Sequence, residues 1–179
     1  MKIAVFFPGI GYRFERPLLR ETMAIAEKRG YEILCVDYNG FDGDAKHNLD
    51  AAVKTAINQT ERILDGKDWS KFDGILFVGK SIGTSVAAIY AHRHRINCMK
   101  ILLTPIPQTF SVEIENAIAF YGTSDPWISR NQVEDGCRKN SIPLSIFDGA
   151  NHSLICGDES KDRKTLDEVL KEINRFIAE

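Results

Sequence analysis

Short runs of apolar, β-branched and aromatic residues alternate along the chain with longer stretches of helical period, the mark of a parallel sheet covered on both faces by helices. Six runs read as strands: IAVFF at 3–7, EILCVDY at 32–38, GILFVG at 74–79, KILLT at 100–104, AIAFYG at 117–122 and PLSIFDG at 143–149. Unbroken hydrophobicity, as in Ile75, Leu76, Phe77 and Val78, suits strands that meet helices on both sides. Between the runs, Leu18, Leu19, Thr22, Met23 and Ala26 recur at helical spacing, and Gly30 stands where a left-handed C-terminal cap falls. Leu49, Ala52, Val53, Ala56, Ile57, Ile63 and Leu64 form a second face. A third helix opens at about Ser81 and uses Val86, Ile89 and Tyr90, and a last one carries Leu166, Val169, Leu170, Ile173, Phe176 and Ile177. No repeat, low-complexity tract or Pro/Gly/Ser-rich linker divides the chain. The expectation is one three-layer α/β/α domain over residues 1–179, with a mostly parallel six-stranded sheet. Right-handed crossovers then gather the functional loops at the carboxyl edge of that sheet.

Composition supports this and removes several function classes. The 179 residues are 44% hydrophobic and 27% charged, enough for a core of ordinary size. With 23 basic and 25 acidic residues the net charge is -2, so no field draws nucleic acid or an anionic membrane surface. No segment approaches the roughly 18 uninterrupted apolar residues of a membrane span. The apolar start MKIAVFF stops at Pro8 and leads into a charged amphipathic stretch with no small-residue cleavage site, so a cytoplasmic protein is expected. Cys35, Cys98, Cys137 and Cys156 never form a CxxC pair, so they read as buried or inert thiols, not as a zinc site or redox motif.

Three glycine-rich motifs compete for the chemistry. Gly74-Ile-Leu-Phe-Val-Gly79-Lys80-Ser81 matches the phosphate-loop pattern GxxxxGK[ST] letter for letter. That loop needs its four variable positions curled round a phosphate, whereas here they are the most strand-like residues of the chain. Gly9-Ile-Gly11-Tyr-Arg-Phe14, with Asp37 after the second strand, imitates a dinucleotide fingerprint, but Phe14 stands where a glycine must let helix and sheet approach. Gly79-Lys80-Ser81-Ile82-Gly83, between a strand and a helix, fits the G-x-S-x-G nucleophile elbow on both sides. The plain alternative is a helix N-cap serine.

A serine hydroxyl is a poor nucleophile until a base takes its proton. His47 precedes the elbow in a polar loop, and His92 and His94 flank arginines at the end of the elbow helix. His152 lies between the last strand and the last helix, where a loop histidine reaches over the sheet edge. Asp125, in Phe120-Tyr-Gly122-Thr-Ser-Asp125-Pro126-Trp127, supplies the carboxylate that orients such a histidine, with an Asp-Pro turn as its bland reading and Asp148 as the fallback acid.

Ser81, Asp125 and His152 come in the order of the α/β-hydrolase superfamily, each after a strand, and the chain resembles that family over essentially its whole length. The resemblance implies a trimmed member, without the first antiparallel hairpin and without a lid domain. It also implies an oxyanion hole from the amide of Ile82 and a second amide in the Pro8–Tyr12 loop, carried over to Ile10. The function expected is a serine hydrolase that cleaves a small ester or thioester, with no metal and no organic cofactor required. The partner is a small-molecule substrate, met by Tyr12, Lys80, Ile106, Phe110 and Trp127 if their loops line the mouth. A noncatalytic binding protein on the same fold is the alternative, with a phosphate-loop nucleotide binder behind it.

Overall fold

A computed structural model describes residues 1–41 and 47–178. The chain runs β1 (Lys2–Phe7), α1 (Pro17–Lys28), β2 (Tyr31–Cys35), α2 (Leu49–Ile63), β3 (Gly74–Lys80), α3 (Ile82–Arg93), β4 (Met99–Leu103), β5 (Ala117–Gly122), α4 (Arg130–Lys139), β6 (Leu144–Phe147) and α5 (Glu159–Phe176). The six strands form one sheet in the order β2-β1-β3-β4-β5-β6, and every pair is parallel.

Successive residues of a strand point to opposite faces, and the core divides accordingly. Ile3, Val5, Phe7, Ile75 and Phe77 pack under α2 and α3, while Ala4, Phe6, Leu76 and Val78 pack with Leu18, Leu19, Val169 and Ile173 of α1 and α5. Helix α3 lies deepest: from Ile82 to Ala91 it is buried at every position except Ile89. This central helix follows β3 directly, which brings its N-terminus to the carboxyl edge beside β1 and β4. Gly30 caps α1 at φ 81° as its position predicts.

The sequence pattern passes over α4. Only Val133, Gly136 and Cys137 of this helix are buried, too few to show a period. Its signal is the capping box Ser129-Arg-Asn-Gln132, in which each side chain meets the other's backbone amide. The cysteines divide: Cys98 and Cys137 are buried, whereas Cys35 and Cys156 are exposed. Burial raises the pKa of Cys98 to about 11 and of Cys137 to about 12. Among the described residues, no helix is long and apolar enough to cross a membrane.

Candidate active site

Residues 75–78 lie inside β3, so the letter-perfect phosphate-loop match has no loop. The dinucleotide reading fails as well: no helix opens within residues 9–14, since α1 begins only at Pro17, and Asp37 pairs through both carboxylate oxygens with Arg13, at 2.9 and 3.0 Å.

The turn after β3 has the geometry of a nucleophile elbow. Ser81 sits at φ 56°, ψ -122°, a conformation that L-residues rarely adopt. Its hydroxyl caps no amide of α3, which removes the helix-cap reading. The flanking glycines are steric requirements. A Cβ at Gly83 would stand 2.0 Å from the carbonyl oxygen of Phe7, and one at Gly79 2.5 Å from the carbonyl oxygen of Gly83. Helix and strands therefore meet backbone to backbone, and the serine is pushed up at the sheet edge. Thr84 ties the turn down, donating to the Ser81 carbonyl at 2.6 Å and sharing a 2.6 Å hydrogen bond with Thr109.

The loops after β5 and β6 meet over this serine. A Cβ at Gly122 would stand 2.2 Å from the Ala150 carbonyl oxygen, and the Ser124 amide donates to that oxygen at 2.9 Å. The loop bearing His152 thus lies directly on the loop bearing Asp125. His152 Nδ1 is 2.6 Å from Asp125 Oδ2, and its Nε2 is 2.7 Å from Ser81 Oγ. A carboxylate only accepts, so Nδ1 carries the proton and Nε2 is left to accept from the serine hydroxyl. Asp125 also accepts the Trp127 amide on Oδ1 at 2.9 Å, so the turn reading and the relay hold together. The Asp125 side chain is fully buried and that of His152 is 18% exposed. Asp148 accepts instead from Thr123 Oγ1 at 3.1 Å. His94, at the far end of α3, pairs with Glu61.

The Pro8–Tyr12 loop closes the other side. A Cβ on Gly9 would lie 3.2 Å from Ser81 Cβ. Gly9 and Tyr12 exchange backbone hydrogen bonds at 3.1 and 3.2 Å, Gly11 turns at φ 75°, and Tyr38 donates its hydroxyl to the Pro8 carbonyl. This presents Ile10 to the same cleft as Ser81 and Ile82. The Ile82 amide, in the first turn of α3, has no intrahelical acceptor.

The cleft has a volume of about 270 Å³. Tyr12, Lys80 and Trp127 line it, but Ile106 and Phe110 do not. The connection from β4 to β5 turns into a 3-10 helix at Pro107–Ser111 whose Thr109 hydroxyl accepts the Ile106 amide at 3.2 Å, which draws it down onto α3. Ile106 is 1% exposed in the core, and the Phe110 ring lies against the bare backbone of Gly136. Arg16, Leu49 and Ser153 line the cleft in their place. Leu49 reads in sequence as packing face. Arg16 carries no signal beyond standing before Pro17 at a helix start.

This sheet order, the elbow after its third strand in sequence and the absence of an inserted domain in the described 104–116 connection define the α/β-hydrolase fold without a lid. The chain's sequence matches no protein-family model and no curated protein. Its structure resembles that of Est1E from Butyrivibrio proteoclasticus, solved with ferulic acid bound, at TM-score 0.69 and 13% identity over 100% of this chain and 90% of that one. A putative hydrolase from Agrobacterium vitis gives TM-score 0.68 at 12% identity, covering 96% and 87%. XC6422 from Xanthomonas campestris, described as an α/β serine hydrolase without a lid, gives 0.65 at 12%, covering 99% and 81%.

Proposed function

We propose that the protein is a serine hydrolase that cleaves a small ester or thioester through an acyl-enzyme on Ser81. The observation that carries this reading is the hydrogen-bonded chain Asp125–His152–Ser81, with the serine held at φ 56° in a turn that makes no use of its hydroxyl as a cap. His152 takes the hydroxyl proton as Ser81 Oγ attacks the carbonyl carbon, and the buried Asp125 carboxylate stabilises the imidazolium. The amides of Ile82 and Ile10 receive the negative charge that develops on the carbonyl oxygen. His152 then hands the proton to the departing alcohol or thiol, and water, deprotonated by the same ring, releases the acid. The similarity to proteins described as an esterase and as a serine hydrolase without a lid supports this class of reaction. An open cleft of about 270 Å³ favours small substrates. The four cysteines are free thiols, which supports a reducing compartment such as the cytoplasm.

The test pairs activity with labelling. The wild-type protein is expected to hydrolyse short p-nitrophenyl esters and to be labelled by a fluorophosphonate, and Ser81→Ala to lose both. Equal hydrolysis by the two proteins, with no label on Ser81, would leave a noncatalytic binding protein.

A further inference from the structure

Lys80 precedes the proposed nucleophile, and its environment is unlike that of any other lysine among the described residues. It is 1% exposed, yet it is one of the residues that line the Ser81 cleft. Lys100, also buried, shows how a buried ammonium is usually satisfied: it donates to the carbonyls of Cys98 and Glu115 at 3.0 Å each. Lys80 has no such acceptor among the described residues. Its Nζ lies 4.8 Å from the centroid of the Tyr12 ring, a contact that supplies attraction but no hydrogen bond. Asp125 is the carboxylate whose field reaches it, but no hydrogen bond joins the two, and the Asp125 oxygens accept from His152 and the Trp127 amide. Burial lowers the Lys80 pKa to about 7, with Asp125 opposing the fall.

A second cation stands at the same ring. The Arg16 guanidinium is 5.3 Å from the Tyr12 centroid, exposed at the cleft mouth, and pairs with no carboxylate among the described residues. The other described walls are apolar or neutral, with Ile10, Ile82, Leu49 and Trp127 around the two charges, and no described carboxylate lines the cleft. A small pocket with one buried and one exposed cation, beside the apolar side chains of Ile10, Ile82, Leu49 and Trp127, matches a compact monoanion joined to a short hydrocarbon.

Building on the proposed acyl-enzyme reaction, we propose that Lys80 and Arg16 bind a carboxylate carried by the substrate, which makes the substrate class the monoesters or monothioesters of short dicarboxylic acids. The Lys80 ammonium donates to the carboxylate inside the cleft and Arg16 holds it from the mouth, while the ester carbonyl lies at Ser81. A bound carboxylate also supplies the acceptor that Lys80 lacks.

The experiment compares p-nitrophenyl hydrogen adipate with its methyl-capped neutral counterpart. Wild type is expected to favour the free acid in kcat/KM by about tenfold or more, the scale of a buried charge-assisted hydrogen bond. This preference ratio is expected to fall to about one in Lys80→Met and to drop by several-fold in Arg16→Gln. Arg16 is exposed, so its variant tests the site without any change in the core. A binding arm makes the outcome independent of catalysis: Ser81→Ala is titrated with monomethyl adipate and with dimethyl adipate. Tighter binding of the acid by about tenfold, lost with Lys80→Met, upholds the site even if no ester is hydrolysed, in which case only the hydrolase reading falls. Equal or absent binding of the two, or a wild-type ratio at or below one, overturns the carboxylate site whether or not the esters are cleaved.

Discussion

Replacing Lys80 by methionine is expected to stabilise the folded protein at neutral and acid pH, with a gain that disappears in alkali. The lysine pKa falls from 10.5 free in water to about 7 in the fold, chiefly through burial. At about 1.4 kcal/mol for each pH unit between those values, housing the charged form costs the folded state about 5 kcal/mol. The sign follows from proton counts. Below pH 7 both states hold the proton and the whole penalty is present. Between 7 and 10.5 the unfolded chain binds more protons than the folded one, so stability rises with pH across that window. Methionine fills a similar volume without the charge but gives up the contact with the Tyr12 ring, about 1–2 kcal/mol when desolvated. Lys80→Met should therefore exceed wild type by about 3 kcal/mol near pH 6 and by about 1 kcal/mol near pH 10, where most of the unfolded chains still hold the proton. Urea unfolding of both proteins at those two pH values and one between measures the difference, in which titrating groups that do not interact with residue 80 cancel. A difference that stays constant across the range refutes the reasoning, because only a group that titrates within the window produces the slope.

Two further substitutions probe the elbow and the relay. Gly83→Ala drives a Cβ to 2.0 Å from the Phe7 carbonyl oxygen, and neither β1 nor α3 has room to retreat; a loss of about 3 kcal/mol or more is expected by thermal or urea unfolding. Stability within 1 kcal/mol or so of wild type would mean that β1 and α3 do not meet so closely. Asp125→Asn keeps an oxygen for the Trp127 amide, so folding should be nearly unchanged, but its NH₂ faces His152 Nδ1 and favours the wrong tautomer. Fluorophosphonate labelling of Ser81 should slow by about 10³–10⁴-fold, and a rate within a factor of about ten of wild type would count against the relay.

The six strands and the order of the three site residues are legible in the sequence for one physical reason. A sheet buried on both faces needs continuous apolar runs, and chemistry at its carboxyl edge has to sit in the loops that follow them. Ser81, Asp125 and His152 each follow such a run. The glycines around them are legible too, because backbone contacts at 2.0–2.5 Å from a would-be Cβ leave no other residue at 79, 83 and 122. Helix α4 is hidden because it rests on the rest of the fold through Val133, Gly136 and Cys137 alone, and its glycine, which a helix scan counts against it, is what admits the Phe110 ring. The same contact explains why Phe110 and Ile106 were expected at the cleft mouth and are found elsewhere. Their loop follows β4 as a substrate-facing loop would, but Thr109 accepts the Ile106 amide, pairs with Thr84 and Ser85, and pins the segment onto α3. Which way a loop residue turns depends on such partners at distant positions, and no local pattern encodes them.

Lys80 joins both kinds of information. Its place before the nucleophile puts it at the cleft by sequence alone, since the strand end determines where residue 80 must stand. That it has no hydrogen-bond acceptor among the described residues follows only from the packing that sets it against the Tyr12 ring, from Asp125 being turned to His152 and the Trp127 amide, and from a cleft that no described carboxylate lines. Methionine or leucine at 80 would satisfy the strand and the core equally well and would spare the fold a buried charge. A group that weakens the fold and lines the site is more simply explained by what enters the cleft than by what surrounds it.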